Sequence, residues 1–112
     1  MEENTKQQLL KEIQLAIELI EETRANSRLT KYDKKNIEIG LLKLSNIEQA
    51  VIRSIGDDLV SKLTDDVKEL ERLVVEIDKA SDLLVCVAKQ IGKVANLVNA
   101  LNKALLAGVK LM

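Results

Sequence analysis

LTDDVKELERLVVEIDKASDLLVCVAKQIGKVANLVNALNKALLAGV, residues 63–109, places side chains at steps alternating strictly between four and three: Leu63, Val67, Leu70, Val74, Ile77, Ser81, Leu84, Ala88, Ile91, Ala95, Val98, Asn102, Leu105 and Val109. A mean step of about 3.5 is helical and keeps one seam turned towards a neighbouring helix. A strand would alternate every second residue. Only Ser81 and Asn102 interrupt the apolar seam. A second row at Leu73, Ala80, Val87, Val94 and Leu101 widens the stripe, as expected for a helix packed on more than one neighbour.

Upstream, Leu10, Ile13, Ile17 and Ile20 form one apolar stripe behind a capping box at Thr5-x-x-Gln8, which predicts a helix over about 6–25. The polar stretch Asn26-Ser27-Arg28 breaks that pattern. Thr30-x-x-Asp33 then offers a second capping box ahead of Ile37, Leu41, Leu44, Ile47, Val51 and Ile55, for a helix over about 31–54. Gly56 is expected to close this helix in a left-handed conformation, with Asp57 and Asp58 capping the next one. The first half therefore reads as a helical hairpin.

Two architectures satisfy the helical region over about 58–108. One continuous helix would hold roughly 50 residues and reach about 75 Å, so that the shorter N-terminal helices would leave half of its seam bare. A second copy of the chain would then have to cover the strip. Alternatively, a break near 79–82, with Ser81-Asp82 capping a fourth helix, gives an up-down-up-down bundle. The unbroken heptad phase and the absence of Gly or Pro at the turn favour the continuous helix. The expected fold is an all-α bundle, a single domain over 1–112, built from an N-terminal hairpin and a long or broken C-terminal helix and completed as a homodimer.

Composition agrees with helices packed through aliphatic ridges: 46% of the 112 residues are hydrophobic, yet there is no Pro, Trp, Phe or His and a single Tyr. The opening Met1-Glu2-Glu3-Asn4 is acidic and the longest uncharged run, Val94 to Asn102, is too short to span a bilayer, so a cytoplasmic location is expected. Cys86 lies in Leu83-Leu84-Val85-Cys86-Val87-Ala88 and reads as a small core residue.

Catalytic chemistry has little to work with. Without His, the commonest general base and metal ligand is missing, and with it the Ser-His-Asp, Cys-His and Glu-x-x-His arrangements. The acidic doublets Glu21-Glu22, Asp57-Asp58 and Asp65-Asp66 point about 100° apart on a helix and do not converge. No glycine-rich loop is present for phosphate. An enzyme, a cofactor and a metal are therefore not expected. Arg24, Arg28, Lys31, Lys34 and Lys35 cluster around the first loop, but no aromatic stacking residues accompany them, so nucleic-acid binding is not expected either.

The charge is unevenly spread: residues 1–82 hold all 18 acids and 13 bases, while residues 83–112 carry four lysines and no acid. At 100° per residue, Lys89, Lys93, Asn96, Lys103 and Lys110 share one arc opposite Leu84, Ile91, Val98 and Leu105. Ala100, Ala104 and Gly108 form a small ridge beside the lysines, and Asn102 is a polar seam residue of the kind that fixes register across a two-fold. The expected function is a non-enzymatic protein–protein interaction module acting through Leu84, Ile91, Val98, Asn102 and Leu105, by self-association or by binding a partner helix. The alternative is a membrane-acting protein that lays its cationic C-terminal helix, through Lys89, Lys93, Lys103 and Lys110, on anionic lipid.

Overall fold

Four stretches of this sequence bury an aliphatic stripe, and each forms a helix. In the computed structural model these are α1 (Glu2–Arg24), α2 (Lys31–Arg53), α3 (Gly56–Ala80) and α4 (Val85–Leu111), with a 3-10 turn at Asp82–Leu84 and no strand among the described residues. The backbone is described for residues 2–53, 56–80 and 82–111, and the side chains for 6–53, 58–77, 82 and 84–107.

The α1–α2 connection follows from its side chains. The backbone N–H of Arg28 donates to Asn26 Oδ1 at 2.9 Å, closing a local turn. The Asp33 N–H donates to Thr30 Oγ1 at 3.0 Å and the Thr30 N–H donates to Asp33 Oδ2 at 3.2 Å, so the expected capping box is made in both directions. Two other terminal expectations fail. The first helix starts at Glu2, which puts Thr5 inside it rather than at a cap. Gly56 opens α3 rather than closing α2; the junction at 54–55 and the Ile55 position lie outside the described residues.

The continuous rod is also corrected. Helix α3 stops at Ala80, the 3-10 turn intervenes, and α4 returns along α3. Ser81, the polar seam position, lies outside the described residues. Folding back lets α4 bury its stripe against helices of its own chain, which a rod could do only with a second copy. The principal extents are 52 × 20 × 18 Å, well short of the rod's length.

Neighbouring helices run antiparallel. Gln14 of α1 donates to Glu48 of α2, while Arg24 meets Glu38 at 2.6 Å. Lys43 lies 3.6 Å from Asp66, and the Tyr32 hydroxyl donates to Glu76 at 2.6 Å, fixing α2 against α3. Asn99 of α4 donates to Glu71 of α3 at 3.4 Å. Helix α4 packs on α1 to close the ring, so the start of α1 and the end of α4 lie at the same pole.

The core is continuous and aliphatic. From α1 it takes Leu9, Ile13, Ala16 and Ile20, and from α2 Ile37, Leu44, Ile47 and Val51, with Leu10, Ile17 and Leu41 packed partly buried at its edge. The long seam supplies Leu63, Val67, Leu70, Ile77, Leu84, Ala88, Ile91, Ala95, Val98 and Leu105, all buried, and the flanking row adds Leu73, Val87, Val94 and Leu101. Each large aliphatic side chain buried there contributes on the order of 1.5–3 kcal/mol.

Candidate functional site

The residues expected to form an interaction surface lie inside the bundle. Leu84, Ile91 and Val98 have no exposed surface and Leu105 has 5%, because α1 and α3 already cover that side of α4. Asn102 is half-buried, and its Oδ1 is buried without a hydrogen-bond partner among the described residues. The bare seam that called for a second copy is therefore absent: α1, α2, α3 and α4 have 23, 23, 25 and 27 residues, long enough to cover one another.

The outward arc of α4 is cationic as expected. Lys89 and Lys103 are exposed, and Lys93 is 60% exposed, its Nζ 3.5 Å from Glu12 Oε2. The Lys110 side chain lies outside the described residues. Cys86 is exposed on this outer side rather than in the core. Its place is set by rotation: two residues after Leu84 it has turned about 200° away from the seam, whatever the hydrophobicity of its neighbours.

Sequence reasoning did not single out Glu12. This carboxylate is only 7% exposed, at the α1–α4 boundary, and the Gln90 side-chain amide donates both to its Oε2 at 2.8 Å and to its backbone carbonyl at 3.0 Å. The Gln90 hydrogen bond holds the Glu12 pKa below the ordinary carboxylate range; burial pushes upward, and Lys93 adds to the lowering. A carboxylate so placed joins α1 to α4.

Two outer surfaces stand out among the described residues. On α2, Leu42 and Ile52 are 59% and 61% exposed, and the uncharged Ser45 and Gln49 lie between them on the same outward face. Between α3 and α4 runs an open groove of about 500 Å³ lined by Val74, Ala88, Lys89, Gly92, Lys93 and Asn96. Among the described residues no group of three or more Cys, Asp or Glu is placed to hold a metal, and no helix is long and apolar enough to cross a membrane.

This is a four-helix bundle whose distinctive side chains lie on its outer faces and along the α1–α4 boundary. Comparison with protein-family models, with curated proteins and with solved structures finds no match.

Proposed function

We propose that this chain is a non-enzymatic helical interaction module that works from the outside of a closed bundle, by self-association or by taking a partner helix. The observation that carries the reading is the α2 strip. Isolated apolar side chains on a surface are ordinary, but Leu42 and Ile52 share one outward face with no charge between them. Two such strips pair readily about a two-fold axis, because an isologous contact sets the same patch against itself.

Light scattering across a concentration series tests this. The chain should shift from 12.5 kDa towards twice that mass as concentration rises, and Leu42→Glu with Ile52→Glu should hold it at monomer mass with its helical circular dichroism intact. A wild-type chain that stays monomeric throughout, or a double variant that still associates, would remove the α2 strip from the argument.

A second reading, action on anionic lipid, draws on the exposed Lys89, Lys93 and Lys103 along an acid-free helix. It requires α4 to leave the bundle, since its apolar face is already buried. Co-sedimentation with anionic vesicles, abolished by changing those lysines to Glu, is the result it demands.

A further inference from the structure

Gly40 and Gly92 occupy helix interiors, where alanine is better by about 1 kcal/mol, and packing among the described residues accounts for only one of them. A Cβ on Gly40 would come within 3.0 Å of Leu73 Cδ2 and 3.4 Å of Ile91 Cδ1, so the closeness of α2 to the core explains that glycine. Among the described residues, a Cβ on Gly92 would meet Val74 Cγ2 alone, at 4.0 Å, an ordinary van der Waals contact. No contact among the described residues requires residue 92 to lack a side chain. What the glycine does is keep open the groove of about 500 Å³ between α3 and α4.

The groove has a definite chemistry. Its floor is Val74, Ala88 and Gly92, small or aliphatic, and its α4 wall carries Lys89, Lys93 and Asn96. No acid occurs on α4 to neutralise that wall; Lys93 meets Glu12 on its far side, at 3.5 Å. Among the described residues Glu71 stands on the α3 side, lining the adjoining hollow with Val74, Gly92 and Asn96, and it accepts a hydrogen bond from Asn99 at 3.4 Å. An open groove lined by small residues takes the ridge of a helix, because small residues let two backbones approach. A cationic wall favours a partner of opposite charge. A bilayer, by contrast, needs a projecting apolar face, and α4 has turned its apolar face inward.

The geometry points to this groove as the docking site for an acidic amphipathic helix of a partner protein, whose small or aliphatic ridge lies over Ala88 and Gly92 while its carboxylates meet Lys89 and Lys93. The site is separate from the α2 strip, so loss of self-association through Leu42 and Ile52 leaves it standing.

The test is an amide-shift titration of the full chain with a synthetic helical peptide carrying a Leu/Ala stripe between rows of Glu. A matched peptide with Lys replacing each Glu, and phosphatidylserine-containing vesicles, are run beside it. Saturable shifts centred on Ala88, Gly92, Lys93 and Asn96, seen with the Glu peptide and not the Lys peptide and weakened by salt, are the expected result. Gly92→Leu, which fills the groove, should weaken binding by about tenfold or more, equivalent to ~1.4 kcal/mol, without lowering the thermal midpoint. Lys89→Glu should weaken binding in the same direction and decides the matter if Gly92→Leu does not fold. The proposal is overturned by the absence of saturable Glu-peptide binding, by equal binding of the Lys peptide, or by shifts confined to α2. A response to vesicles alone, or occupation of the groove by a second copy of the chain, would also overturn it.

Discussion

Glu12 and Tyr32 show what single residues contribute and how pH would reveal it. The Gln90 hydrogen bond, with help from Lys93, lowers the native pKa of Glu12 below its unfolded value near 4.5. The stabilisation is therefore present above that value and is lost as pH falls through the lower native one. The thermal midpoint should drop on acidification below about pH 4.5, and Glu12→Gln should make that fall shallower; parallel curves for the two proteins would exclude Glu12 as the source. Tyr32 works in the opposite sense. Its hydroxyl donates to Glu76, which raises its pKa above 10.0, so the contribution holds at lower pH and is lost as pH rises through the native value. As the only tyrosine in a chain without tryptophan, it can be followed cleanly by tyrosinate absorbance. Glu76→Gln should return its titration towards 10.0, and an unchanged curve would show that the hydrogen bond is not formed in solution. Neither partnership was legible in the sequence. Gln90 is 78 residues from Glu12, and periodicity along one helix carries no information about which polar group faces it from another.

At the scale of elements, local chemistry was readable where it closes on itself. Thr30 and Asp33 bond within three residues, so their spacing sufficed to place the start of α2. Thr30→Ala should cost about 1 kcal/mol in urea unfolding with an unchanged m-value. A loss near zero would mean that solvent serves that helix end equally well. The Thr5 box had the same form and was not used, because nothing in the sequence stops a helix from starting earlier, at Glu2. The α3–α4 break misled for a different reason. A helix that folds back must still present its own stripe to the core, and its phase matches the preceding register by chance about once in four, given 3.6 residues per turn. Unbroken heptads thus identified the buried face correctly and carried little information about continuity.

For the whole molecule, the decisive quantity is how much of the seam the chain covers by itself. Leu84 is fully buried among helices of the same chain, so Leu84→Glu should abolish cooperative folding, seen as loss of the thermal transition. Leu42→Glu should leave that transition in place, because Leu42 lies outside the core. A folded Leu84→Glu chain would mean that α4 is packed in another way. The all-helical architecture and most core positions could be read from sequence, since burial repeats with the helix, though Leu9, Ala16, Leu29, Ala50 and Leu59 were not among the stripes. The outer surfaces could not, because a groove is a property of two helices together and neither Val74 nor Gly92 announces it alone. The shared pole of the two chain ends has a mechanical consequence. Tension applied through residues near those ends would load α1 and α4 side by side, opening their contacts one after another as in a zipper rather than shearing them all at once. The molecule should therefore yield at low force, starting from that pole, with the Glu12–Gln90 link the first buried polar tie to part.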